Sequence, residues 1–169
     1  MELQASKYAA SVHKLLKKYK GVWKQGKELV ESVANRKMDN PIEEFDKTLN
    51  KKLANLLELA ESANSIGLTL KESNSQKWAS LPKAFSLMPK SKGLINQDFC
   101  EKISEEILAI GKQIIRQSDL WIHLCGKLNY LTERDDLIYM VACWAHQPLI
   151  RENSFEMLMA KCLFISTLK

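Results

Sequence analysis

Apolar residues recur at intervals of three and four along almost the whole chain. That spacing belongs to helices, where such positions share one face. No pair of alternating segments joined by tight-turn chemistry suggests a β-hairpin. The pattern predicts an all-α protein, an antiparallel helical bundle of about five to seven helices, in one compact domain or two lobes. The 169 residues are enough to bury a sizeable core, and 6 Gly and 4 Pro leave little material for long flexible linkers.

The first helix is expected from about Ser6, with an apolar stripe of Tyr8, Val12, Leu15, Leu16, Tyr19, Val22 and Trp23. Gly21 and Gly26 are points where it could bend or stop short of Ala34. Asn40-Pro41-Ile42-Glu43 has the chemistry of a helix start, with Asn40 as cap and Pro41 in the first turn. The helix that follows presents Phe45, Leu49, Leu53, Leu56, Ala60 and Ala63, and Gly67 is a suitable left-handed stop. Residues 68–95 read as an irregular connection carrying a short helix near 82–88. Asn96 caps a helix with Phe99, Ile103, Ile107, Ile110 and Ile114 inward, and Ser118-Asp119 restarts a shorter one through Trp121, Leu124 and Leu128. Thr132-Glu133-Arg134-Asp135 and Asn153-Ser154-Phe155-Glu156 open the last two, the first of them ending before Pro148. The expected divisions are a basic hairpin over 1–67, the connection over 68–95 and a C-terminal bundle over 96–169.

Charge is distributed unevenly. The formal net charge is +5, yet residues 91–169 hold 9 basic against 10 acidic side chains. Residues 1–27 hold seven lysines against one acid, Glu2, so the excess lies there. Lys7, Lys14, Lys17, Lys18, Lys20, Lys24 and Lys27 fall on the side of the helix opposite its apolar stripe. Localised positive charge suits a phosphate backbone, an anionic membrane or an acidic protein, while a solvated face that keeps the chain soluble is the plain alternative. Lysines without interleaved arginines favour phosphate contacts over base readout. Trp23 beside Lys20, Lys24 and Lys27 could stack on a base or pack on a neighbouring helix.

The remaining chemistry is sparse. Arg116 and His123, with six residues between them, resemble the motif of HEPN-type ribonucleases, which are also small helical bundles. That resemblance implies an Arg116 that stabilises phosphate charge and a His123 that moves a proton during RNA cleavage. The chain has Gln117 where that family usually places Asn, Asp or His. His123, Cys125, Cys143 and His146 are zinc-ligand types at a spacing that matches no common zinc pattern. Glu43, Glu44 and Asp46, Glu105 and Glu106, and Asp135 and Asp136 are clustered carboxylates without an assignable mate on a second helix. There is no Gly-rich phosphate loop, nucleophile elbow or kinase signature.

No segment is apolar enough to span a bilayer, the start lacks a secretory pattern, and the four cysteines sit in apolar stretches, so reduced thiols in a cytoplasmic protein are expected. In size, charge and fold class the chain is similar to the small helical subunits of CRISPR effector complexes, basic bundles that assemble along a guide and steady a displaced DNA strand. That likeness implies a non-enzymatic subunit of a ribonucleoprotein complex, in antiviral defence, with nucleic acid and other proteins as partners. No metal, cofactor, small-molecule substrate or membrane partner is expected. The alternatives are a protein–protein module in which the first helix docks in a partner's groove, and the Arg116/His123 ribonuclease.

Overall fold

The computed structural model describes residues 2–39, 47–85, 95–128, 130–131 and 133–168. It is all-α, with no strand among these residues. Helix α1 spans Glu2–Asp39, α2 Lys47–Leu68, a π-helical segment Thr69–Asn74, α3 Ser75–Phe85, α4 Gln97–Leu128, α5 Arg134–His146 and α6 Glu152–Thr167. The cap at Asn40-Pro41-Ile42-Glu43, Phe45, the Glu43, Glu44 and Asp46 carboxylates, the end of the 82–88 helix and Thr132 lie outside the described residues.

Two long helices organise the rest. In α4 the inward positions are Cys100, Ile103, Ile107, Ile110, Ile114, Gln117, Trp121, Leu124 and Leu128, alternating steps of three and four. In α1 they are Ala5, Ala9, Val12, Leu16, Tyr19, then Val22 with half-buried Trp23, and Gly26, Val30 and Val33. Both average 3.5 residues per turn of the stripe, the period of helices that wrap one another with a left-handed twist.

The polar contacts fix the directions. Lys52 Nζ donates to Ser32 Oγ at 2.7 Å, so the start of α2 lies beside the end of α1. Asn64 reaches Ser118, and Ser104 Oγ donates to the Ser75 carbonyl, so α2–α3 descends as α4 ascends. Ser6 Oγ donates to the Ser166 carbonyl, and Lys37 Nζ to that of Leu131, so α5 and α6 together run back along α1. Helix α1 packs on α2, α5 and α6, and α4 packs on α2, α3, α5 and α6. The result is an up-down-up-down bundle of four columns: α1, α2–π–α3, α4 and α5–α6. Helices α1 and α4 stand on the diagonal and meet through side chains, with Tyr19 stacked on Trp121 at 6.1 Å. Trp121 stacks in turn on Trp144 at 4.3 Å and 4°.

Helix α1 continues through both Gly21 and Gly26, the longer of the two courses the sequence leaves open. The structure overturns four local expectations. Helix α2 does not stop at Gly67, because that glycine is a crossing point: a Cβ there would lie 3.0 Å from the Gly111 carbonyl oxygen and 2.8 Å from Ile115 Cγ1. The chain continues from Gly67 through the π-helical segment into α3, so 69–85 is helical and not irregular. Asn74, 2% exposed, spans the widened π turn by donating from Nδ2 to the Thr69 carbonyl. Helix α4 does not restart at Ser118-Asp119: the Ser118 hydroxyl folds back on the Ile115 carbonyl at 2.8 Å, within an unbroken helix. Helix α6 opens at Arg151–Glu152, ahead of Asn153, because Gln113 Oε1 on α4 accepts the Arg151 N–H at 2.9 Å. Asn96 does cap α4, its Oδ1 accepting the Phe99 N–H at 2.8 Å.

Candidate nucleic-acid interface

Burial of the α1 stripe orients its lysines. With Ala5, Ala9, Val12, Leu16 and Tyr19 at 0–1% exposure, the opposite side of the helix must face solvent. Lys7, Lys14, Lys17, Lys18 and Lys24 are exposed there and form no ion pair among the described residues. Lys7, Lys14 and Lys18 lie along one line of the helix, Lys17 and Lys24 along a second. From Lys7 to Lys24 the face extends about 25 Å at 1.5 Å per residue.

The other two lysines differ. Lys20 Nζ is 2.7 Å from Glu156 Oε1 on α6, and Lys27 Nζ is 4.0 Å from Glu31, one turn on. Both are part-exposed pairs that add little stability. Their consequence is electrostatic: Lys20 is already neutralised by a neighbouring helix. Trp23 is half-buried, and its indole N–H donates to the Trp144 carbonyl at 2.8 Å. Its place is in the seam between α1 and α5. Trp78, Trp121 and Trp144 are fully buried.

Arg116 and His123 share one unbroken helix and one face, two turns apart, and both are exposed. None of the three cavities described is lined by either residue. Cys125 and Cys143 are buried while His123 and His146 are exposed, and no group of three metal-ligating side chains forms among the described residues. Burial pushes the Cys125 thiol up to about 11 and the Cys162 thiol up to about 12, leaving both protonated and unreactive at neutral pH. Glu105 is exposed, while Glu106 accepts from Lys161 on α6 at 2.6 Å and holds two columns together.

Three glutamines organise the neighbouring end of α5. Gln117 has 0% exposure. Its Oε1 accepts the Leu149 N–H at 3.0 Å, while its Nε2 is 3.5 Å from the Cys143 carbonyl. Gln113, one turn earlier, takes the Arg151 N–H. Gln147 ends α5 in the left-handed region, φ 44°, and its Oε1 accepts the buried Tyr19 hydroxyl at 2.6 Å. Only Gln117 left a legible mark, as a polar residue at a position where the three–four spacing calls for an apolar one.

Comparison with protein families, with curated proteins and with solved structures finds no match to this chain. No helix among the described residues is long and apolar enough to cross a membrane.

Proposed function

We propose that the protein is a non-enzymatic helical subunit that binds nucleic-acid backbone without sequence preference through α1. The observation that carries this reading is the set Lys7, Lys14, Lys17, Lys18 and Lys24, exposed on a helix whose other side is locked into the core. A rigid row of point charges offers phosphates a fixed partner and releases counterions on contact. The absence of arginine from residues 1–27 argues against base readout. Lys20 and Lys27 contribute less, because each has a carboxylate neighbour.

A protein partner as well is supported by Ile138 and Tyr139 on α5 and by Met157, Leu163 and Phe164 on α6, all large apolar side chains 49–61% exposed. They favour the fourth column for a protein contact, whereas the α1 stripe is spent on this chain's own core. A subunit held by proteins on one column and by nucleic acid on another fits a ribonucleoprotein assembly.

The test is an electrophoretic shift assay with single-stranded DNA, RNA and duplex at two salt concentrations. The double change Lys17→Glu, Lys18→Glu is expected to weaken binding at least tenfold on every sequence alike. It also lowers the salt slope by about 1.4 for single strands, two contacts' worth of counterion release. Binding indifferent to both salt and the double change overturns the reading. RNA cleavage abolished by Arg116→Ala with His123→Ala would replace it with the ribonuclease.

A further inference from the structure

Where α1 meets the end of α5 and the start of α6, a cavity of about 250 Å³ opens beside the Lys20–Glu156 pair. Its walls are aromatic: the half-buried Trp23, with Tyr19 and Phe155 below, their rings 5.7 Å apart. Its polar lining includes two carboxylates. Glu152 and Glu156 lie one turn apart on α6, both lining the cavity. The last four carbonyls of α5 have no partner within the helix. Those of Cys143 and Trp144 are taken by the side chains of Gln117, Trp121 and Trp23. The following two residues, Ala145 and His146, line the cavity, at the negative pole of the helix. Gln147, also in the wall, is the one non-glycine residue with positive φ among the described residues, a backbone state that costs about 1 kcal/mol or more and gathers at ligand sites.

Two carboxylates, a helix C-terminus and aromatic faces favour a positively charged donor. The site already holds one such donor of its own, the Lys20 ammonium at its rim. We infer that this cavity is a binding site for an ammonium or guanidinium group on a short aliphatic arm, which displaces Lys20 from Glu156 and lies against Trp23. Lys20 is then a built-in competitor, and the site does not depend on the exposed lysine face. This assignment gives Lys20 and Glu156 opposite effects, which a merely structural ion pair would not produce.

The experiment is a titration of the ¹⁵N-labelled full chain with n-butylguanidinium, read at the Trp23 indole N–H signal, with 1-butanol as the uncharged control. Saturable shifts with a Kd below about 1 mM are expected for the cation, and none of that kind for butanol. Glu156→Gln should weaken binding at least tenfold, and Lys20→Met should tighten it about threefold or more, on the scale of one exposed ion pair. Both positions are partly exposed, so neither change threatens the fold. A second arm uses a short blocked peptide with one arginine: equal affinity assigns the site to a partner's side chain, weaker affinity to a free small amine. No saturation, equal response to butanol, or weakening by Lys20→Met overturns the inference.

Discussion

Two glycines in one helix separate what a residue does from what it is. Gly21 and Gly26 look alike in sequence, and α1 passes through both. A Cβ at Gly21 meets nothing within 4 Å, whereas one at Gly26 would lie 2.0 Å from Trp144 Cζ3 and 2.6 Å from Cε3. Trp144 cannot retreat, since it is fully buried and stacked on Trp121. Gly21→Ala should therefore stabilise the fold by about 0.5–1 kcal/mol, the helix-propensity gain with no opposing term. Gly26→Ala gains the same propensity but overpacks the indole stack, for a net loss of about 1–2 kcal/mol. Guanidinium denaturation followed by tryptophan fluorescence checks both, and midpoints that shift in the same direction would refute the packing argument. What distinguishes the two positions is a tryptophan far along the chain, which no local reading of α1 contains.

The same lesson recurs between elements. From its neighbours alone Gly67 reads as a helix end, and nothing beside Gly111 in the sequence marks it as a contact. In the fold they face each other where α2 crosses α4: a Cβ on Gly111 would sit 2.9 Å from the Lys71 nitrogen and 3.0 Å from the Gly67 carbonyl oxygen. Those neighbours are backbone, so they can yield only by parting the helices. Each single change to alanine should cost about 2 kcal/mol. The double change should cost less than the sum, because the first methyl already opens the gap for the second. Additive losses in urea denaturation would show that the two glycines do not share one contact. Helix identity and inward faces were legible in α1, α2, α4 and α6, because burial imposes the three–four spacing directly on the sequence. Breaks were less legible. Ser118-Asp119 has the chemistry of a restart, yet Asn64 on α2 donates to Ser118 Oγ and Asp119 Oδ1, making the pair a docking point within an unbroken helix. The lysine face was legible because exposure follows from the stripe. The cavity beside it was not, because it needs Gln147, Glu152 and Glu156 brought against Tyr19 and Trp23 by the return of the fourth column.

At the scale of the whole molecule, the bundle sets lysines outside and thiols inside. Cys100 and Cys125 on α4, Cys143 on α5 and Cys162 on α6 are all buried in the interior of two columns. Burial raises Cys162 to about 12 and Cys125 to about 11, and it raises Cys100 and Tyr19 as well. A thiol whose folded pKa lies above its unfolded value near 9 stabilises the fold fully below that pH. As pH rises past 9 the unfolded chain loses protons that the native state keeps, so unfolding becomes progressively easier until the folded pKa is reached. The urea midpoint should accordingly be flat from pH 7 to 8.5 and fall steadily between pH 9 and 11. Cys100, Cys125 and Tyr19 contribute with the same sign, so the Cys162 part must be isolated by comparison. Cys162→Ala lowers the midpoint at neutral pH, through lost packing, and makes the decline above pH 9 shallower than in the parent. Parallel declines in the two proteins would mean that Cys162 does not hold its proton through the fold, and that the α6 column opens well before the bundle does.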